Sequence, residues 1–268
     1  MGRSAPIALA TCAALPGLDP DDHLLAAALG GRAEAAVWDD PAVDWDAFEL
    51  VVVRSTWDYV GRRERFLAWA EALGDRLRNP AGVLRWSTDK RYLAELADAG
   101  LPVVETAFAA PGEPLPAPPV VVKPAVGAGS IDAARHDDRR AAADHVARLH
   151  RDGRAALVQP YLDAAETALM YLAGAYSHAI RKGPMLAGRA ERDESGLYVT
   201  EEISAAEPSA AERAVADRVM AWVSERFGTL LYARVDLLGG AVLEVELAEP
   251  SLFFGHAPGA AALMAAAI

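Results

Sequence analysis

Arg234, Asp236, Glu244 and Glu246 are spaced to meet on one face of a two-stranded hairpin. Two short apolar runs flank Gly239-Gly240, a pair suited to a tight turn, and alternation along the strands puts Arg234 with Asp236, and Glu244 with Glu246, on one face. Three carboxylates gathered so closely repel one another unless a hard divalent cation sits among them. Mg2+ carried on nucleotide phosphates meets that need, with Mn2+ its substitute. The competing arrangement, a charged hairpin facing solvent, leaves Val235, Leu243 and Val245 to form the whole core side.

Only three of the 26 basic residues are lysines: Lys90, Lys123 and Lys182. A chain that uses Arg almost everywhere else marks these as positions where a compact ammonium is wanted rather than a planar fork. Lys123 ends the apolar run Val120-Val121-Val122 and is followed by a loop of small residues. In that loop the backbone N–H groups of Gly127, Ala128, Gly129 and Ser130 can approach phosphate oxygens closely. The loop is not a P-loop, since no Gly-Lys-Ser/Thr follows, nor a dinucleotide fingerprint, since it does not open into a G-x-G-x-x-G helix. Further on, Ala156–Leu162 reads as a strand entering a loop. Backbone groups of Gln159, Pro160, Tyr161 and Leu162 there can frame an adenine edge, with Glu166 accepting ribose hydroxyls; taken alone, an edge strand and a solvated acid look the same.

Other chemistry is more diffuse. Arg54-Ser55-Thr56-Trp57 leaves a Val-rich strand at the edge where α/β sheets bind ligands, and is a candidate substrate contact, although Trp57 and Tyr59 also suit packing. His178, Lys182 and Arg189 lie around Gly183-Pro184 and Gly188, a segment able to close over a substrate. Lys182 and His178 are candidates for catalytic contacts there, with the reservation that a lone His more often packs or bonds structurally. Ser251 follows the hairpin directly and can meet a substrate carboxylate.

These residues need a scaffold, and 268 residues with 53% hydrophobic content supply a core large enough for closely associated lobes. The first strand-like run ends at Thr11 and leads to a helix over about 21–29. Strands follow near 35–38 and 50–53, and a helix over 62–73, so that a small parallel sheet closes near Asn79-Pro80. A helix from Ser87 to Gly100, a strand over 103–106, a Pro-rich loop over 111–119 and helices over 139–149 and 205–216 complete the pattern. Met1–Leu15 mimics a short signal peptide but reads better as a buried first strand. The net charge of -12, with no basic run interleaved with aromatics, argues against nucleic acid as a partner. No apolar stretch is long enough to span a membrane. The single Cys12 excludes an internal disulfide and a cysteine metal cluster, and fits a cytoplasmic protein.

In this order the segments from Ser87 onward resemble the ATP-grasp superfamily of carboxylate-activating ligases. The resemblance implies an α/β (α+β grasp) fold: an N-terminal parallel-sheet pre-ATP-grasp domain over 1–85, then a two-lobed ATP-grasp domain over 86–268. It further implies that Lys90 and Lys123 contact ATP phosphates, Gly127 to Ser130 form a lid loop, Gln159 to Leu162 frame the adenine and Glu166 binds ribose. Asp236, Glu244 and Glu246 would hold Mg2+, and Arg234 would stabilise the transferring phosphoryl group. Where many relatives close with Glu-x-Asn, this chain has Glu244-Val245-Glu246, an acid in place of an amide.

The runs Ala8-Leu9-Ala10-Thr11-Cys12, Trp38-Asp39-Asp40-Pro41, Val53–Tyr59, Asn79-Pro80 and Arg85–Lys90 are similar to the ATP-grasp group that contains the O-ureido-serine cyclo-ligase of cycloserine biosynthesis. That similarity implies an ATP- and Mg2+-dependent ligase acting on a small amino-acid-derived substrate, as a monomer or homodimer. An intermolecular dipeptide-type ligase and a non-catalytic ATP-binding protein stand as alternatives.

Overall fold

Ile7–Thr11 (β1), Ala33–Val37 (β2), Leu50–Val53 (β3) and Leu77–Arg78 (β4) form a parallel sheet in the order β2-β1-β3-β4 in the computed structural model, which describes residues 7–183, 195–199 and 202–268. The central strands β1 and β3 are apolar without alternation, as a parallel sheet covered on both faces requires. Asp22–Ala28 (α1) and Arg63–Leu73 (α2) are the covering helices.

The sequence pattern runs a helix from Ser87 to Gly100; the chain forms it over Tyr92–Asp98 (α4), with a separate helix, Ala81–Ser87 (α3), before it. Lys90 occupies the turn between them, where its backbone N–H donates to the Ala125 carbonyl at 2.9 Å. The anticipated strand over 103–106 reduces to a single bridge between Val103 and Val242, and strand pairing begins only at Ala107.

Ala107–Ala109 (β5), Val120–Pro124 (β6), Ala134–His136 (β7) and Ala156–Pro160 (β8) make an antiparallel sheet ordered β5-β8-β6-β7. Arg139–Arg151 (α5) packs on it through Ala142, Val146 and Leu149. The second antiparallel sheet contains Glu166–Leu172 (β9), Ala175–Lys182 (β10), Ile203–Ala206 (β11), Tyr232–Leu238 (β12) and Ala241–Glu246 (β13), in the order β11-β10-β9-β12-β13. The Ala-rich stretch at 205–216 is therefore split between strand and helix. Ser209 and Glu212 form a capping box that starts Ala210–Phe227 (α6) four residues beyond the end of β11 at Ala206.

Each face of the five-stranded sheet has its own partner. Leu169, Val235 and Val245 pack on Val219, Met220 and Val223 of α6. Ala168, Met170 and Tyr232 pack on Ile7, Leu9 and Leu25 of the N-terminal layer and on Met264 of the last helix, Ala260–Ala267 (α7). None of the described helices is long and apolar enough to cross a membrane.

Asn79 clamps these layers together. Its amide Nδ2 donates to the Tyr232 and Leu247 carbonyls at 2.9 and 2.8 Å, and its Oδ1 accepts the Leu231 N–H at 2.9 Å, all in a buried environment. Asn79→Ala leaves those three backbone groups without partners, which predicts a loss of about 3 kcal/mol in urea unfolding; an unchanged midpoint would show that the clamp contributes nothing.

Candidate active site

The glycines of the hairpin turn fix the register of the charged wall. Gly239 and Gly240 both have positive φ, +58° and +82°, the combination a two-residue hairpin turn favours. The register pairs Asp236 with Glu244 and Arg234 with Glu246 across β12 and β13. A bulge beside Asp236 shifts the phase, so Val242 rather than Leu243 joins the core, and Leu243 lines the cavity in front of the charged wall.

That cavity, of about 1210 Å³, lies where the three sheets converge. All three lysines line it, and they are only 9%, 8% and 8% exposed for Lys90, Lys123 and Lys182; lysines so buried require partners. Lys123 Nζ donates to Glu244 Oε1 at 2.7 Å, and Lys90 Nζ lies 3.6 Å from Glu244 Oε2 while donating to the Gly127 carbonyl at 2.8 Å. Lys182 Nζ reaches Glu166 Oε1 at 2.7 Å and Asp236 Oδ2 at 2.8 Å. Arg234 grips Asp236 through Nε and Nη2, at 2.7 and 2.9 Å, and reaches Glu246 at 2.6 Å.

These pairings set the protonation of the wall. Burial works against ionised carboxylates, but Arg234 and Lys182 overcome it at Asp236 and hold that carboxyl well below the usual range. Lys123 and Lys90 similarly bring Glu244 down to about 2. Glu246 goes the other way, to about 7, because burial and the charges of Asp236 and Glu244 outweigh an Arg234 already committed to Asp236. A carboxyl whose folded pKa is raised stabilises the fold below its unfolded pKa and loses that contribution as pH rises through 7. Glu246→Gln, which keeps the shape without the charge, should therefore gain thermal stability relative to wild type between about pH 4.5 and 7; a stability difference flat across that range would refute the assignment.

The glycine loop approaches the cavity from the other side. At Gly129 φ is +58° and a Cβ would lie 2.3 Å from the Leu197 carbonyl oxygen and 2.7 Å from Tyr198 Cα, so only glycine fits. Val199 N–H donates to the Gly129 carbonyl at 3.1 Å, tying residues 195–199 to the loop. Gly127, Ala128, Gly129 and Ser130, with Gln159, Pro160, Tyr161, Leu162 and Glu166, all line the cavity.

Other candidates are placed differently. Arg54, Ser55 and Thr56 are 1%, 0% and 0% exposed and do not line the cavity. Arg54 instead donates to Asp22 and to the Pro250 carbonyl, both at 2.8 Å, and Ser55 donates to Asp22 at 2.6 Å, bracing the tail from behind. The strand edge is the right place for a ligand, but the side chains nearest the strand are consumed in joining layers. Trp57, farther along the loop, does line the cavity. His178 also lies off the lining: burial lowers its pKa, and its ring nitrogens meet Ser177 Oγ and the Leu252 carbonyl at 2.9 and 2.8 Å, a packing role in place of a base. Ser251 lines the cavity, and its carbonyl accepts Arg234 Nη1 at 3.1 Å. Arg189 falls outside the described residues.

Asp19, Asp21, Tyr59, Tyr198 and Glu249 also line the cavity without having been singled out as site residues. The run Asp19-Pro20-Asp21 follows β1 at the same sheet edge as 54–57, the edge where open α/β sheets bind ligands.

Comparison with known proteins agrees with this architecture. The family model described as the N-terminal domain of D-cycloserine synthetase DcsG matches residues 7–79. Cycloserine biosynthesis protein DcsG of Streptomyces lavendulae is 40% identical over 252 residues, covering 84% of this chain and 83% of that protein. The crystal structure of D-cycloserine synthetase DcsG superposes with a TM-score of 0.85 at 36% identity, covering 97% of each chain. D-alanine–D-alanine ligase from Bacillus anthracis shares the fold at a TM-score of 0.65 and 15% identity, with 94% of this chain and 89% of that one covered.

Proposed function

This chain belongs to the D-cycloserine synthetase DcsG family of ATP-grasp ligases, and from that premise we propose that it uses ATP to activate the carboxyl group of a small amino-acid derivative, an O-ureido-serine-like compound, and closes it into a ring through an internal nitrogen. The observation that carries the reading is the convergence of Lys90, Lys123, Lys182 and Arg234 on one wall with Asp236, Glu244 and Glu246. In this reading residues 1–85 and the tail after β13 contribute the substrate side and the rest of 86–268 the nucleotide side.

Lys90 and Lys123 bind the phosphates under the glycine loop, Gln159 to Leu162 take the adenine edge and Glu166 takes the ribose. Arg234, held by Asp236, offsets negative charge as the γ-phosphoryl group passes to the substrate carboxylate. The resulting acylphosphate is attacked by nitrogen, and the tetrahedral intermediate expels phosphate. Lys182 lies beside Asp236 on the same wall and can follow the transferred group.

Asp236, Glu244 and Glu246 are oxygen donors of the type Mg2+ takes. Among the described residues no three acids or imidazoles are gathered closely enough to hold an ion alone. They fit an ion that arrives on a polyphosphate, since phosphate oxygens draw the lysines away from the carboxylates and add ligands of their own. Bound there, Mg2+ would neutralise charge on the phosphates.

The test is ADP release from ATP and Mg2+ by purified protein with O-ureido-serine, its enantiomer, and single or paired amino acids. ADP with O-ureido-serine alone and a ring product by mass is the expected result. Release only with paired amino acids would replace cyclisation by intermolecular ligation, and nucleotide binding without turnover on the whole panel would favour a non-catalytic protein.

A further inference from the structure

The four buried cations on the cavity wall, Lys90, Lys123, Lys182 and Arg234, are matched by the carboxylates of Glu166, Asp236, Glu244 and Glu246. At the N-terminal rim, Asp21 commits its two carboxylate oxygens to the N–H groups of Phe254 and Gly255, both at 2.9 Å, and Asp19 accepts the Asp21 N–H at 3.0 Å. Of the remaining acids that line the cavity and enter no ion pair among the described residues, Asp163 and Glu202 are exposed, whereas Glu249 is half-buried.

Its surroundings hold it in place without neutralising it. The phenol of Tyr59, itself only 2% exposed, lies beside the Glu249 carboxyl. Trp57 Nε1 donates to the Glu249 carbonyl at 2.9 Å. Two residues on, the Ser251 carbonyl accepts from Arg234, so the segment that carries Glu249 is tied to the charged wall. Burial raises the Glu249 pKa, with Lys90 and Arg234 giving only partial relief at a distance. A positive ligand group would relieve that cost directly.

We propose that Glu249, braced by Tyr59, binds the protonated amine of the substrate and so selects a small carboxylic acid that carries a free ammonium group. This rests on the ligase reading above and adds a chemical consequence to it. An ammonium held against a carboxylate has its own pKa raised and stays protonated. It then has no lone pair with which to attack an acylphosphate, so acylation of that amine by a second molecule is suppressed and the ring nitrogen is left as the only nucleophile. The ammonium proton is neither gained nor lost in the reaction.

The experiment compares O-ureido-serine with its analogue bearing hydrogen in place of the amine, on wild type and on Glu249→Gln, which keeps the shape beside Tyr59. Wild type should favour the amine-bearing compound by about 10²-fold in kcat/KM, the scale on which a site built for a charged group rejects an analogue lacking it. Glu249→Gln should raise KM for that compound by a similar factor and bring the preference close to one, with the Kd for a non-hydrolysable ATP analogue changed less than about twofold. Retention of the preference by Glu249→Gln would overturn the proposal. If wild type released no ADP with either compound, the ligase reading would fail, and thermal shift with the ATP analogue present would still decide the amine contact. A shift given by the amine-bearing compound alone and lost in Glu249→Gln supports it, whereas equal shifts or none overturn it.

Discussion

Asp236→Asn is expected to lower turnover by at least about 10³-fold, in the range found when a group stabilising phosphoryl transfer is removed. Asp236 is 2% exposed and meets two cations at once, Arg234 at 2.7 Å and Lys182 at 2.8 Å. An amide keeps the volume but removes the counter-charge, leaving two buried cations to share Glu246 and Glu166. Truncating one side of a buried pair costs about 3–5 kcal/mol, so the variant should also be less stable toward guanidinium. The two effects are separable. Arg234→Lys retains a positive charge for Asp236 but loses the planar fork that touches Asp236, Glu246 and the Ser251 carbonyl together. It should keep most of the stability and still lose turnover. Normal ADP release by Asp236→Asn would remove the residue from the phosphoryl-transfer machinery. The pH dependence of stability supplies a second reading. Because the Asp236 carboxyl is held below its ordinary value, its contribution is present above the unfolded pKa and disappears as pH falls below it. The variant should therefore lack part of the acid limb seen in wild type.

Much of this wall was legible in the residues themselves because a hairpin is a local object. A two-glycine turn and period-2 alternation determine which side chains share a face, and the pairing of Asp236 with Glu244 follows. The parallel layer was legible for a similar reason, since apolar runs such as 50–53 have little choice but a covered sheet. Local patterns failed where a tertiary contact decided the outcome. The turn that carries Lys90 interrupts a stretch with unbroken helical spacing, and it is fixed by a bond to Ala125 over thirty residues away. Arg54 and Ser55 sit at a ligand-binding edge by any sequence rule, but their partners Asp22 and Pro250 come from other segments and use up their hydrogen bonds. Glu249, three residues beyond the hairpin, has no periodicity to mark it; only the cavity shows a half-buried acid there that enters no ion pair among the described residues.

Lys123→Met should weaken ATP binding by about 30- to 100-fold while leaving the fold largely intact, the loss of one charge-assisted contact worth about 2–3 kcal/mol. Lys123 is only 8% exposed and its ammonium lies 2.7 Å from Glu244. A methionine fills the same channel with an unbranched apolar side chain, so packing is preserved better than by alanine. Glu244 is not abandoned, for Lys90 remains 3.6 Å away and can move in toward it. Because Lys90 compensates only in part, the stability loss is modest, largest near neutral pH, and fades as pH falls toward 2. In wild type the Glu244 pKa of about 2 means that its pairing stabilises the fold above the unfolded carboxylate pKa and is lost as pH falls toward 2, a contribution of about 3 kcal/mol. With Lys123 gone the folded pKa rises toward its ordinary value and that acid-sensitive window narrows. Isothermal titration with a non-hydrolysable ATP analogue and thermal unfolding between about pH 2 and 7 measure both effects on one preparation. A normal nucleotide affinity would exclude Lys123 from the phosphate site. A weakened affinity with an unchanged acid limb would assign the low Glu244 pKa to Lys90 instead.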